Sequence, residues 1–292
     1  VSMLFVDFIN EWKKLRLGAS EGWRICQDQI IRDHISPYLD DLKMNEITPA
    51  QISFVLAQSR KKNHSDNQTK KIYMVLSKIF SDAINEFEIL TKSPVKKKLH
   101  LTKTRPIARS FLNPSEVWQL LEKVSNDKSF GVAVWIQVFT GLRVGEVQGL
   151  QWDDIDFKNS TVHIKRKFNR ITKKMDLYTK NGSHFVQPLA PILANFLHKI
   201  KKKSGFVCTN SSGEMFSYWS YRSYLLRTSK KLNLSISASH DLRHSSAFLL
   251  RSVGASIEDL QKFLNHSSAQ STRVYDHFKI DESVKNLLKK IA

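Results

Sequence analysis

The sequence has few cysteines, no long apolar run and no leader-like segment. Its two cysteines, Cys26 and Cys208, fall in separate predicted domains, so neither a disulfide scaffold nor a cysteine-based zinc site is expected. No run of 18 apolar residues is present, and the first segment carries acidic residues among its apolar ones. We also find no internal repeat and no low-complexity segment. These absences predict a soluble, cytoplasmic protein without a membrane partner.

Acidic residues are scarce compared with basic ones. The 292 residues include 46 Lys and Arg but only 27 Asp and Glu, which gives a formal net charge of +19. An excess of this size attracts polyanions, because basic side chains displace the counterions condensed on nucleic acid. Hydrophobic residues make up 41% of the chain, enough for a substantial core. We therefore expect a globular protein that binds a polyanion such as nucleic acid.

The first ninety residues have the pattern of four helices. Apolar residues recur at helical spacing over 4–17 and over 23–39. Two capping-box motifs follow, "TPAQ" at 48–51 and "SDNQ" at 65–68, and each predicts the start of a helix. The last of these helices is expected to run from 66 to about 88.

Residues 91–110 interrupt this pattern. The segment holds seven Lys and Arg, no acidic residue and two prolines, which disfavour helix. We interpret it as a basic linker, either a passive spacer or a segment that lies along a phosphate backbone.

The remainder is mostly helical with one exception. "NPSE" at 113–116 predicts a helix start, and helical spacing resumes after it. Residues 161–188 instead have strand composition, with a turn signal at Asn181-Gly182. A small antiparallel sheet is therefore expected inside a second, mainly helical domain.

The stretch "HDLRH" at 240–244 allows three interpretations: a metal site, a phosphate site, or a solvated helix end. Zinc peptidases also place two histidines four residues apart, but they have Glu after the first one. Here Asp241 takes that position, and Arg243 adds a permanent cation next to the second histidine. A metal site is therefore disfavoured, and His244 is expected to be structural.

Three further motifs accompany this stretch. Arg143 lies in "TGLRVGEVQGL", Lys180 in "YTKNGSHFVQPL", and His266 and Tyr275 in "LNHSSAQSTRVYDHF". His266 comes 23 residues after Arg243, and Tyr275 nine residues after His266. In order and spacing, these residues resemble the tyrosine recombinase, or phage integrase, family.

The resemblance implies a mainly α fold with a small antiparallel β-sheet, arranged as a two-domain C-shaped DNA clamp. A helical core-type DNA-binding domain is expected over 1–90 and a catalytic domain over 111–292, joined by the linker 91–110. The implied activity is site-specific recombination without metal or cofactor, for integration and excision of a phage or other mobile element. A type IB topoisomerase and a catalytically inactive DNA-binding regulator are the alternatives.

The resemblance also implies a role for each catalytic residue. Tyr275 is the expected nucleophile, which leaves a 3′-phosphotyrosyl link and a free 5′-hydroxyl. Arg143 and Arg243 are expected to bind the phosphate, because a guanidinium presents a fork of donors that stays charged. His240 is expected to accept the tyrosine proton or to orient it.

Three other assignments depend on the resemblance. Lys180 is expected to protonate the leaving 5′-oxygen, although Lys173 and Lys174 on the same predicted hairpin are alternatives. His266 is expected to donate to a phosphate oxygen, and a purely structural His266 is the alternative. Glu146 is expected to support the active-site arginine and histidine. The family commonly has Gly directly before the second histidine, which is His266 here. Asn265 takes that position and is expected to keep the left-handed backbone.

The basic residues of the first domain and the linker are the candidates for backbone contacts. They are Lys61, Lys62, Lys70, Lys71, Lys96, Lys97, Lys98, Lys103 and Arg105.

The resemblance further implies a homotetramer on double-stranded DNA, with two protomers on each of two synapsed sites and accessory DNA-bending proteins as further partners. Val284, Leu287, Leu288 and Ile291 form an apolar stripe after the tyrosine. In the family the last helix often reaches a neighbouring protomer. Docking on its own domain is the alternative.

Overall fold

The computed structural model describes residues 3–16, 18–61, 65–96, 111–177, 184–266 and 272. By its internal contacts the chain divides into two compact units, Val1–Ile107 and Ala108–Ala292. The two cysteines lie in different units. None of the helices in the described part of the chain has the length and apolar character needed to cross a membrane.

The first unit is entirely helical over its described residues. Its helices are α1 (Phe5–Lys14), α2 (Glu21–Ile30), α3 (Ser36–Leu39), α4 (Pro49–Lys61) and α5 (Asp66–Asn85). Both predicted starts are confirmed. The side chains of Thr48 and Gln51 each accept from the other's backbone N–H, and the Ser65 hydroxyl accepts from the Gln68 N–H. The indole of Trp12 donates to the buried carboxylate of Asp82 at 2.7 Å, which ties α1 to α5 inside the core.

The predicted helix over 23–39 is not uniform. A π-helical turn, Ile31–Ile35, separates α2 from α3. Pro37 has no N–H to donate to the carbonyl of Asp33, and its ring crowds that carbonyl in a regular α-helix. The wider π turn next to Pro37 accommodates this mismatch.

The second unit contains seven α-helices and five short strands among its described residues. The helices are α6 (Pro114–Val124), α7 (Phe130–Thr140), α8 (Val144–Gly149), α9 (Pro191–Ile200), α10 (Tyr218–Lys231), α11 (His240–Ser252) and α12 (Ile257–Phe263). The capping box of Asn113 and Glu116 opens α6 as predicted. The hydrophobic core surrounds α7, where all but two of the residues are buried.

The strands form two antiparallel sheets. They are β1 (Ile155–Asp156), β2 (Thr161–Ile164), β3 (Lys167–Asn169), β4 (Lys174–Asp176) and β5 (Phe185–Pro188). The first sheet has the order β1-β2-β5, and β3 and β4 form a separate hairpin. The mainly helical fold with small antiparallel sheets is confirmed, but the predicted strand "TVHIKRK" is divided between the two sheets.

Two glycines allow the hairpin to lie directly on α8. A Cβ on Gly145 would come 2.6 Å from the carbonyl oxygen of Phe168, and one on Gly149 would come 2.8 Å from that of Arg166. Both distances are shorter than any side chain permits, and the atoms met belong to the backbone. The close approach of β3 to α8 therefore requires glycine at both positions.

Candidate active site

Arg143 is held at the N-terminus of α8 by a buried carboxylate. Glu146 accepts from the backbone N–H of Arg143 at 2.7 Å and from its guanidinium Nη1 at 3.2 Å. The Glu146 side chain is 1% exposed, whereas that of Arg143 is 26% exposed. The Glu146 carboxylate therefore lies inside the protein, whereas part of the Arg143 guanidinium stays accessible to a ligand.

The start of α11 is fixed by Asp241. Its carboxylate accepts from the backbone N–H groups of Ser237 and Ala238 and from the Ser237 hydroxyl, at 2.7–3.0 Å. His240, the first residue of the helix, is exposed. Its ring packs edge-on against that of the buried His244, with 4.8 Å between the two ring centres. Asp241 and His244 therefore hold the exposed imidazole in position.

Arg243 is buried, with 2% of its surface exposed. Its Nη1 donates to the carbonyl oxygen of Gly141, and its Nη2 donates to that of Leu264. Gly141 lies two residues before Arg143, and Leu264 lies two residues before His266. One guanidinium therefore joins the three chain segments that carry Arg143, His240 and His266.

His266 follows α12 and lies among positive charges. The pKa of this imidazole is lowered from 6.5 to about 4, first by burial and then by the charges of Arg243, Arg143, His240 and His244. His266 is therefore neutral at pH 7, with one N–H to donate. Its Nδ1 lies 2.9 Å from the hydroxyl oxygen of Thr272, which is fully buried.

The backbone before His266 has the expected conformation. Asn265 has a φ of 46°, in the left-handed region where the family commonly has glycine. The expectation for Asn265 is confirmed.

A cavity of about 600 Å³ opens beside these groups. Arg143, Glu146, Ser239 and His240 line one part of its wall. Arg243 and His266 do not line this cavity. They are electrostatically coupled to the residues that do, because the charges of Arg143 and His240 act on His266 together with that of Arg243. Arg143 presents one cation to an anion that enters the cavity. His240 presents a second cation when its imidazole is protonated and a proton acceptor when it is neutral.

The structure thus brings together Arg143, Glu146, His240, Arg243 and His266 from three separated chain segments. Tyr275 and Lys180 lie outside the described residues, as do Val284, Leu287, Leu288 and Ile291. Lys173 and Lys174 lie at the end of the β3–β4 hairpin, and Lys173 has a φ of 56°.

The basic residues proposed for DNA contact are only partly described. Lys61, Lys70, Lys71 and Lys96 are exposed. The remaining candidates, Lys62, Lys97, Lys98, Lys103 and Arg105, lie outside the described residues.

Sequence reasoning missed a buried chain of hydrogen bonds behind Arg143. The Tyr221 hydroxyl donates to the Gln137 side-chain oxygen at 2.7 Å, and the Gln137 amide donates to the carbonyl of Leu142 at 3.1 Å. The amide of Gln187 likewise donates to the carbonyl of Phe263, next to the His266 segment. These partners are 84 and 76 positions apart, so no local sequence pattern indicates them.

Comparison with protein families identifies the class of this fold and site. The Phage integrase family matches residues 110–281, and the family described as Phage integrase, N-terminal SAM-like domain, matches residues 4–54. The chain therefore belongs to the phage integrase family. The longer match includes every candidate catalytic position, from Arg143 to Tyr275.

Two relatives and one solved structure illustrate the similarity. Tyrosine recombinase XerC of Oceanobacillus iheyensis is 30% identical over 62% of this chain and 60% of its own length, so the chain matches less than two thirds of that relative. The ICEBs1 integrase of Bacillus subtilis is 26% identical over 86% of this chain and 72% of its own. The Tn1549 transposon integrase, solved with a circular intermediate DNA, has the same fold, with a TM-score of 0.81, 17% identity and complete coverage of both chains.

Proposed function

We propose that the protein is a site-specific DNA recombinase that integrates and excises a mobile element. The observation that carries the proposal is the convergence of Arg143, His240, Arg243 and His266 on one cluster beside a cavity. Such a cluster of fixed cations and donors suits a phosphoryl transfer in which no metal meets the developing charge. The ICEBs1 integrase and the Tn1549 transposon integrase support the assignment to a mobile element.

In the proposed reaction, the Tyr275 hydroxyl attacks the phosphorus of one DNA strand. The bond from phosphorus to the 5′-oxygen breaks, and a 3′-phosphotyrosyl link forms in its place. His240 accepts the proton from the tyrosine, and Lys180 donates one to the leaving 5′-oxygen. A 5′-hydroxyl from the partner duplex then reverses these steps and completes the exchange.

The buried groups assist the phosphate-binding residues. Arg143 binds a nonbridging oxygen with the part of its guanidinium that Glu146 leaves accessible. Arg243 holds the Arg143 and His266 segments at a fixed spacing and adds its charge to the cluster. His266, neutral at pH 7, donates its single N–H to the phosphate.

We assign DNA-backbone binding to the first unit and to the linker. The exposed side chains of Lys61, Lys70, Lys71 and Lys96 support this assignment, together with the overall charge of +19. Each phosphate that such a cation neutralises releases counterions, so binding should weaken steeply as the salt concentration rises.

A suicide DNA substrate tests the chemistry. It carries a nick next to the cleavage point, so that cleavage frees a short strand and cannot be reversed. We expect a covalent protein–DNA band from the wild-type protein and none from Tyr275→Phe, which should still bind DNA. Tyr224→Phe removes an oxygen from another tyrosine of the same unit and should leave the band unchanged.

The outcomes separate the proposal from its alternatives. DNA binding without any adduct from the wild-type protein would favour the inactive regulator. An adduct accompanied by relaxation of supercoils, but no exchange between two sites, would favour the topoisomerase. An adduct from Tyr275→Phe would mean that another residue is the nucleophile.

We further propose that four protomers act together, because recombination exchanges the strands of two duplexes and each duplex is cut at two points. The apolar stripe after Asp281 would contact a neighbouring protomer. Truncation after Asp281 should leave binding to a single site intact and weaken the pairing of two sites on native gels. Unchanged paired complexes would mean that the segment docks on its own domain. Accessory DNA-bending proteins would be further partners of this assembly.

A further inference from the structure

The cavity beside Arg143 has a second group of residues on its wall that the proposed reaction does not use. These residues are Lys167 on strand β3, Arg170 directly after β3, and Tyr218 at the start of α10. The guanidinium carbon of Arg170 lies 3.8 Å from the centre of the Tyr218 ring. Arg170 is exposed, whereas Tyr218 is half-buried.

Arg170 differs from its basic neighbours in the partners of its charge. Lys165 and Arg166 both pair with the buried Asp154, at 3.1 and 2.6 Å, and Lys167 lies 3.9 Å from Asp176. Among the residues that the structure describes, no carboxylate forms an ion pair with Arg170. Its charge is therefore available to an external anion.

The ring of Tyr218 prepares Arg170 for such an anion. A guanidinium over an aromatic face gains cation–π attraction and keeps its N–H edge directed outward. Because the side chain is already ordered, less rotamer freedom is lost when a ligand binds.

The size of the cavity indicates how much of a ligand it holds. Its volume of about 600 Å³ is twenty times the roughly 30 Å³ that one water molecule occupies in the liquid. A single phosphate group would leave most of this space empty. Since phosphates repeat at every nucleotide of a strand, a second one enters the same region whenever the first is bound.

We propose that Arg170, stacked on Tyr218, binds the phosphate next to the scissile one on the same DNA strand. This second phosphate subsite rests on the recombinase function proposed above. Arg143 binds the reacting phosphate beside His240, and Arg170 sets the position of the strand along the cavity. The subsite therefore fixes which bond is presented to the nucleophile.

The test couples a side-chain change to a backbone change in the DNA. In a series of suicide substrates, each phosphate near the scissile one is replaced in turn by an uncharged methylphosphonate. Wild type and Arg170→Ala are compared on every substrate by the rate of adduct formation. Arg227→Ala is the matched control, because Arg227 is an exposed arginine of α10 that does not line the cavity.

We expect Arg170→Ala to slow adduct formation on unmodified DNA roughly 10- to 100-fold, as for the loss of one charge-assisted contact. On the substrate whose neighbouring phosphate is neutral, wild type and Arg170→Ala should react at rates within about twofold of each other, because the contact is already absent. Arg227→Ala should show no such dependence on position. Tyr218→Leu, which leaves Arg170 in place but unstacked, should reduce the same coupling without abolishing it.

An effect of Arg170→Ala that is equally large on every substrate would overturn the subsite and make the contact with Tyr218 a structural one. No slowing on unmodified DNA would overturn it as well. A wild-type protein that forms no adduct on unmodified DNA would instead overturn the recombinase function itself, and the subsite with it.

Discussion

Arg243 donates a hydrogen bond to the backbone carbonyl of Gly141, 102 positions earlier in the chain. Its second bond, to the carbonyl of Leu264, gives the same side chain a structural role in addition to its proposed role in catalysis. Arg143 is different, because it is partly exposed and its ion-pair partner is only three residues away. The two arginines belong to the same cluster but should therefore respond differently to the same substitution.

Replacing each arginine by lysine tests this difference. Lysine at position 243 has one terminal nitrogen in place of the two that bond carbonyls of different segments, and a buried carbonyl that loses its partner costs about 1–3 kcal/mol. Arg243→Lys should therefore lower the free energy of unfolding by this amount, whereas Arg143→Lys should change it by less than about 1 kcal/mol. Urea denaturation of both variants measures the two values, and equal losses would contradict the structural role of Arg243.

Gly141→Ala tests the segment from the other side. Gly141 has a φ of 63°, and a Cβ there would lie 2.9 Å from the side chains of Leu264 and Phe263. Gly213, with a φ of 81° and nothing within 4 Å of such a Cβ, is the matched control. Gly213→Ala should cost about 1 kcal/mol of stability from backbone strain alone, and Gly141→Ala clearly more. Thermal unfolding compares them, and equal costs would mean that the α12 segment moves aside freely.

The lowered pKa of His266 predicts a dependence of stability on pH. The folded protein holds this imidazole neutral down to about pH 4, while the unfolded chain takes up a proton near pH 6.5. Between these values the unfolded state binds more protons, so the free energy of unfolding falls as the pH drops from 6.5 to 4. His266→Gln should lack this part of the slope. Denaturation of both proteins at several pH values measures it, and parallel curves would count against the shift.

Thr272 provides a test of how His266 is oriented. Its buried hydroxyl is the partner of Nδ1, and a hydroxyl that donates there leaves the N–H on Nε2. Thr272→Val should slow adduct formation roughly 10-fold or more, while Thr272→Ser, which keeps the hydroxyl, should restore most of the rate. Nitrogen NMR of the imidazole should show that Val, and not Ser, changes the tautomer. Equal rates for Val and Ser would mean that the contact only fills space.

Lys180 can be tested as the general acid with a modified leaving group. Lys180→Ala should slow cleavage of ordinary DNA roughly 10²–10⁴-fold. With sulfur in place of the bridging 5′-oxygen, the thiolate leaves without a proton, so the variant should react about as fast as wild type. If both substrates remain equally slow, Lys180 only positions the phosphate. Lys173→Ala and Lys174→Ala should then be compared in the same way.

The sequence predicted the local features well, because their causes are local. Capping residues such as Thr48 and Asn113 act within one helical turn, and the pair of Arg143 and Glu146 spans a single turn as well. A hairpin with Lys173 and Lys174 was predicted, but its separation from the first sheet was not, because three-residue strands give too short an alternation to recognise. Arg170 and Tyr218 meet only through the tertiary fold, so their contact could not be predicted from either segment.

The glycines beneath the hairpin also affect how such a protein diversifies. The carbonyl of Phe168 in β3 faces Gly145 and that of Arg166, just before β3, faces Gly149, and every residue type has a carbonyl. Side chains of the hairpin can therefore be exchanged during evolution without loosening its attachment to the helix that begins at Arg143. Members of the phage integrase family that differ only in these side chains would therefore contact different ligand groups beside an unchanged Arg143 cluster.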